Sequence, residues 1–341
     1  KLDRELEGGM AVSMGRLRED TQYDYKFVGL SHNTLRGAAG GAVLLAELLC
    51  AEGYIDHKEA ALSPHGAGYF SIEREEFPMR SPVFTGSCPA LVTPFDQNGS
   101  INYDAFGKLI DDQIAAGVDA VCVCGTTGES ATMSIREHIA AVEFCVKRVD
   151  HRVKLIIGTS HMVADEIISF SNFCLDAGAD AVMILPPYYF HFGPSALLQY
   201  YDRLAEQIHG DIYIYNFPDN TGYTIPPETV LALAKMHPNI VGMKDTVPGM
   251  DHTRELIKVV KSQIPQFEIY SGFDDNFAHN VLSGGNGCIG ALSNVVPEIC
   301  AAWVRAFREN DLAGIARGQQ TIDHLMDLYA IRSPFLPVIK E

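Results

Sequence analysis

From residue 83 onward the chain alternates short, β-rich apolar runs with amphipathic helical segments, and that beat limits the folds open to it. The apolar runs are Cys88–Val92, Asp119–Cys124, Val153–Gly158, Ala181–Leu185, Ile212–Tyr215, Ile240–Lys244, Glu268–Ser271 and Gly287–Ala291. Between them the 3.6-residue period predicts helices over Tyr103–Ala116, Ser134–Val149, Ala164–Ala177, Pro194–Ile208, Pro227–Met236 and Met250–Ile264, with Asp275–Leu282 and Pro297–Glu309 as the last two. A helix between each pair of strands carries the chain back across the sheet, so the strands must run parallel. A series of such units in one register predicts an α/β fold, a closed (β/α)8 TIM barrel over residues 83–310, with C-terminal helices over 311–341. The repeated Ala-Gly-(Val/Ala)-Asp cassette at Ala116–Asp119 and Ala177–Asp180 reads as a helix C-cap glycine feeding the next strand. The stretch Ser71–Pro82, charged and broken by prolines, lies outside this beat and reads as a linker after a separate segment over 1–70.

Composition excludes several function classes. A net charge of −17 argues against nucleic acid or an anionic membrane surface as partner. No apolar run approaches the length of a membrane span and no signal-peptide pattern is visible. The eight cysteines are scattered, and Cys122, Cys124, Cys145, Cys174 and Cys288 sit inside apolar segments, so reduced thiols in a cytoplasmic protein are expected. Cys122 and Cys124 share a strand face by period, yet no further His or Cys completes a metal set. They read as small core residues, and no metal is expected.

In a barrel of this kind the chemistry sits where strands end and loops begin. After the second strand comes Gly125-Thr126-Thr127-Gly128-Glu129-Ser130, whose backbone N–H groups and hydroxyls can cradle a carboxylate; alone it equally suits a Gly-rich turn with a hydroxyl cap. The fourth strand ends in Pro186-Pro187-Tyr188-Tyr189-Phe190, aromatics that can pack a substrate or reach a neighbouring subunit, and that alone are more often core or interface filler. The fifth ends in Tyr215-Asn216-Phe217-Pro218, offering a phenol as a proton shuttle or simply a core tyrosine. The sixth, Asn239-Ile240-Val241-Gly242-Met243-Lys244-Asp245-Thr246, ends an apolar strand on a lysine. Such a lysine either snorkels to water or points into the barrel mouth, where desolvation is expected to lower its pKa and free the amine to attack a ketone. An anion cradle, an amine and phenols on strand ends of one barrel are what an enzyme forming an imine with an α-keto acid requires.

At these residues the chain resembles the dihydrodipicolinate synthase / N-acetylneuraminate lyase superfamily from about Val83 onward. The matching motifs are Gly125–Glu129, Pro187-Tyr188-Tyr189, Tyr215–Pro218 and Gly242-Met243-Lys244-Asp245. The resemblance implies a class I lyase in which Lys244 forms an imine with pyruvate and Tyr215 relays protons. It implies that Thr126 serves the relay and that Thr127, with Gly125, grips the pyruvate carboxylate. Tyr189 would reach across a tight dimer into the neighbour's site, and Ile289 would line the pyruvate pocket. It further implies no metal or organic cofactor and a homodimer or homotetramer. Synthases of the superfamily usually carry an arginine five residues after the catalytic tyrosine, where this chain has Asn220. With Ser271–Asp275 and Pro334–Glu341, that departure resembles the aldolases of 2-keto-3-deoxy sugar acids, whose partner is a small hydroxylated aldehyde. The runners-up are dihydrodipicolinate synthase acting in lysine biosynthesis and a catalytically silent family member that binds a small carboxylate.

The first seventy residues resemble something else. Gly9–Leu17, Asp24–Val28 and Leu30–Gly40, with Asn33-Thr34-Leu35-Arg36-Gly37-Ala38-Ala39, are similar to the C-terminal end of aspartate-semialdehyde dehydrogenase. The resemblance implies a helix over Thr34–Glu52. The parent enzyme's catalytic residues have no counterpart here, so no dehydrogenase activity is expected. The C-terminus likewise reads as clipped, because members of the superfamily usually continue past the helix that begins near Pro334.

Overall fold

The computed structural model describes residues 80–340, together with two strands nearer the N-terminus, Ser13–Glu19 and Tyr25–Leu30. Those two strands pair antiparallel. The helix expected over Thr34–Glu52 lies outside the described residues. Residues 1–74 and 75–341 form two units.

The second unit is the barrel. Its strands are β1 (Gly86–Ser87), β2 (Ala120–Val123), β3 (Lys154–Gly158), β4 (Ala181–Ile184), β5 (Ile212–Asn216), β6 (Ile240–Asp245), β7 (Glu268–Ser271) and β8 (Gly287–Cys288). Each pairs parallel with the next from β2 to β8, and β8 pairs with β1. A parallel bridge between Ala90 and Cys122 brings the chain after β1 onto β2, so the eight strands form a nearly closed ring. The last strand is shorter than the apolar run that announces it, and the first lies just before its expected run, Cys88–Val92. Pro89 has no N–H to give to the ladder, although the chain around it still donates from Cys88 to Cys288 (2.9 Å) and from Ala90 to Gly290 (2.7 Å).

The outer ring is α1 (Tyr103–Ala116), α2 (Ile135–Val149), α3 (Ala164–Ala177), α4 (Pro194–Gln207), α5 (Pro227–Met236), α6 (Asp251–Leu256), α7 (Phe277–Leu282) and α8 (Pro297–Arg308). The helix α6 continues as one π turn over Ile257–Lys261. Local chemistry explains the boundaries. The Asn102 side chain accepts from Ala105 N, and Ser134 and Glu137 form a reciprocal capping box at the start of α2. The repeated cassette does two things: Gly117 and Gly178 close their helices at φ of 92° and 119°, and the aspartates after them accept from the adjacent strands. Asp119 takes Ser87 N and Asp180 takes Leu155 N, each at 2.9 Å.

Strand alternation sorts the interior into two layers. Val121, Val123, Val182, Ile184, Ile212, Ile214 and Met243 pack outward against the helices. Ala120, Cys122, Ala181, Met183, Tyr213, Tyr215 and Tyr270 fill the lumen. A third cluster, built on Trp303 and Phe277, joins α8 to the C-terminal helices α9 (Leu312–Leu325), α10 (Leu328–Ile331) and α11 (Leu336–Lys340). The expectation that Cys122 and Cys124 share a face fails. Cys124 adopts φ of 55°, which breaks the alternation, so Cys122 faces the lumen and Cys124 the helices. Both are small core residues: burial pushes their thiols up to about 11 and about 12, leaving neutral sulfurs.

The floor of the lumen carries one charged group. Glu268 is buried and accepts from Tyr213 Oη (2.6 Å), Tyr270 Oη (2.5 Å) and Val83 N (3.0 Å). Burial outweighs these donors and Arg80, 4.0 Å away, and holds its carboxyl above the usual range. It plugs the end of the barrel opposite the loops that follow the strands.

Candidate active site

Whether Lys244 points into the lumen depends on one residue. Ile212 pairs with Ile240, but the next pairs are Tyr213 with Gly242 and Tyr215 with Lys244, so Val241 is an extra residue on β6. Strict alternation from the outward-facing Ile240 would send Lys244 outward; the bulge puts it in phase with the lumen-facing Tyr215. Glycine is required at the bulge, since a Cβ on Gly242 would lie 2.5 Å from Glu268 O and 2.8 Å from the Tyr213 ring. The Lys244 side chain is therefore buried rather than snorkelling, 4% exposed, with Nζ 4.4 Å from the centre of the Tyr215 ring.

The direction of its pKa departs from the expectation. Burial pushes the Lys244 ammonium down, but the Tyr215 hydroxyl beside it acts the other way. The net direction is above the ordinary lysine value. Any lysine must shed its proton before it can act as a nucleophile.

Lys244, Tyr215, Thr126, Thr127 and Ile289 line one narrow cavity at the C-terminal ends of the strands. Tyr215 Oη and Thr126 Oγ1 are 3.4 Å apart, a long contact in which either oxygen can donate. The turn holding Thr126 and Thr127 is tightly built. Glu129 sits at φ of 60°, Thr93 Oγ1 donates to Gly128 O at 2.7 Å, and a Cβ on Gly158 would lie 2.2 Å from Cys124 O. Gly125 is buried beneath the turn. Asn220 is exposed on the single helical turn Pro218–Thr221 and is not part of the cavity wall. Tyr189 stands at the surface, 77% exposed, edge-on to Phe190 with ring centres 5.0 Å apart.

The cavity also contains residues that the strand-end reading passes over. Thr246 lies two residues after Lys244, on the same side of the chain by the period of an extended strand, and its buried Oγ1 has no hydrogen-bond partner. Tyr329 and Phe335 roof the cavity from the C-terminal segment. Tyr329 Oη donates to the buried Asp274 at 2.9 Å, and its ring lies 4.5 Å from that of Phe335. Nothing in the sequence near 329 marks it, because the contact spans 55 residues.

An amine, a phenol and threonine hydroxyls, one of them unpaired, in a narrow cavity of mixed polar and apolar lining suit a small molecule bearing both a carboxylate and a carbonyl. Among the described residues no group of His, Cys, Asp or Glu is placed to hold a metal ion, and no helix is long and apolar enough to cross a membrane.

Fold and site together define a lyase on a TIM barrel. Residues 83–341 match the Dihydrodipicolinate synthetase family, and the chain belongs to it. Known relatives fall on both sides of one division. The Escherichia coli protein named "Putative 2-dehydro-3-deoxy-D-gluconate aldolase YagE" is 35% identical over 77% of this chain and 87% of its own length. Its crystal structure, in complex with pyruvate, superposes with a TM-score of 0.74 over 75% of this chain and 86% of that one. A 4-hydroxy-tetrahydrodipicolinate synthase from a Hydrogenobaculum species is 40% identical over 63% of this chain and 73% of its own length.

Proposed function

We propose that Lys244 forms an imine with pyruvate and that the enzyme reversibly cleaves a 2-keto-3-deoxy sugar acid to pyruvate and an aldehyde, without metal or organic cofactor. The observation that carries this reading is the buried Lys244 Nζ held against Tyr215 in a cavity that also holds Thr126, Thr127 and the unpartnered Thr246 hydroxyl. Hydroxyls in the wall suit a hydroxylated substrate. The exposed amide of Asn220, in place of a guanidinium, supplies no charge-assisted grip for a second carboxylate.

The Lys244 ammonium passes one proton to Tyr215, from which Thr126 can hand it onward. The neutral amine attacks the keto carbon, and the carbinolamine oxygen takes up the proton and leaves as water, so ammonium and ketone become iminium and water. A base then removes the proton from the hydroxyl on C4, the C3–C4 bond breaks into an aldehyde, and its electron pair flows into the iminium to give an enamine. Protonation of that enamine at C3 and addition of water release pyruvate and restore the ammonium. Thr127, with the backbone from Gly125, holds the carboxylate. Ile289 walls the methyl side, and Tyr189 completes the site of a neighbouring subunit in a homodimer or homotetramer.

Borohydride reduction in the presence of pyruvate should add a pyruvate-derived mass to Lys244 and stop turnover, and the Lys244→Arg variant should show neither adduct nor activity; an unmodified Lys244 would sink the proposal. A substrate panel then sets the aldehyde partner. Pyruvate release from 2-keto-3-deoxygluconate without consumption of aspartate semialdehyde is the expected result. The relatives named as 4-hydroxy-tetrahydrodipicolinate synthases favour the second reading, condensation of pyruvate with aspartate semialdehyde. Clear turnover of that substrate would establish it instead.

A further inference from the structure

Behind the cavity, a closed ring of hydrogen bonds ties together the two strand ends that carry Lys244 and Tyr215. Asn216, next to Tyr215, donates from Nδ2 to Asp245 Oδ1 at 2.8 Å, and Asp245 is next to Lys244. Asn216 Oδ1 accepts from Ile225 N at 3.1 Å. Ile225 O faces His252 Nε2 at 3.0 Å, and His252 Nδ1 lies 2.9 Å from Asp245 Oδ2, which closes the ring. Thr253 Oγ1 also donates to that carboxylate, at 2.7 Å. The Asp245 side chain is fully buried and that of His252 is 17% exposed. Both ring nitrogens of His252 thus meet atoms that can only accept, a carboxylate and a carbonyl. A neutral imidazole has one N–H and would leave one of these contacts as two facing lone pairs; the imidazolium satisfies both.

We propose that His252 is a positioning residue of the reaction, acting as a fixed imidazolium that neutralises Asp245 and locks Lys244 and Tyr215 in register. It rests on the imine reading of Lys244. The charged groups facing the ring are Asp245 of β6 and Glu228 of α5, while Asp251 on its own helix pairs with Arg254. Burial opposes the charge on His252; Asp245, the Ile225 carbonyl and Glu228 together outweigh it and hold the ring above the ordinary histidine value. Without the imidazolium, a buried carboxylate one residue from Lys244 has no counter-charge. The ring that aligns the two strand ends then opens.

The test compares borohydride trapping of pyruvate on Lys244 in the wild-type chain and the His252→Gln variant across pH. Glutamine keeps one donor but no charge. At about pH 6 the wild-type chain should trap roughly tenfold faster, and the ratio should fall towards one as the imidazolium titrates. A ratio that does not change with pH, or equal rates at low pH, overturns the inference. No adduct at any pH in the wild-type chain overturns the imine reading and this inference with it, so the two failures are distinct. Nitrogen NMR of the histidine-labelled wild-type chain needs no variant. One ring should stay doubly protonated after exposed histidines have titrated, and its absence refutes the proposal.

Discussion

At the residue scale, His252 makes stability depend on pH in a defined direction. Its folded value lies above that of the unfolded chain, so the folded state binds the proton more tightly. The contribution is complete below the unfolded value, near about pH 6.5, and is lost as pH rises through the folded value. Urea midpoints should therefore fall over that window in the wild-type chain by more than in His252→Gln; parallel curves would show that the ring is not charged. Neither the ring nor the charge is legible in the sequence, where Asp251-His252-Thr253 looks like an ordinary polar start to a helix. Lys244 is legible as a chemical type at a strand end, and so are Tyr215 and the two threonines. What the sequence does not carry is the environment. Burial predicts a depressed lysine, whereas the phenol that opposes it comes from β5, a separate strand.

At the scale of elements, α1, α3 and α5 begin and end where the periodicity places them; Asn102 and Gly117 cap α1, Gly178 closes α3 and Pro227 opens α5. The strands hold the surprise. A period of two assigns side chains to faces only while the ladder is regular, and the irregularity at Val241 reverses every assignment after it. The same limit explains Cys124, whose left-handed backbone turns it away from Cys122. Gly242 is accordingly predicted to be as necessary as the lysine it orients. In Gly242→Ala the new methyl meets the Glu268 carbonyl and the Tyr213 ring, both in the packed interior, so β6 must shift. The variant should lose about 1–3 kcal/mol of stability and trap pyruvate at least tenfold more slowly at a temperature where it remains folded. Retained trapping at the wild-type rate would mean that the bulge does not set the orientation of Lys244.

At the scale of the whole described unit, the cavity is not the product of the barrel alone. Its roof comes from the C-terminal segment, which the sequence shows only as helices after the last barrel unit, without any sign of what they cover. The junction is Tyr329, whose hydroxyl is one of three donors to Asp274, the others being Ala291 N at 3.1 Å and Leu292 N at 3.3 Å. Those two amides lie just after Ile289 in the cavity wall, so one carboxylate holds both the β8 loop and the roof. Burial raises the Asp274 carboxyl above its usual value even with these donors, so the loss of one is felt. Tyr329→Phe keeps the ring and its packing on Phe335 and removes only the hydrogen bond. We expect a loss of about 1–2 kcal/mol in unfolding free energy near neutral pH. We also expect a KM for the keto acid several-fold higher with kcat nearly unchanged, because the roof excludes water and frames the substrate without touching the reacting bonds. A fall in kcat at constant KM would instead place Tyr329 among the groups that act in the transition state, and no change in either would detach the roof from the reaction.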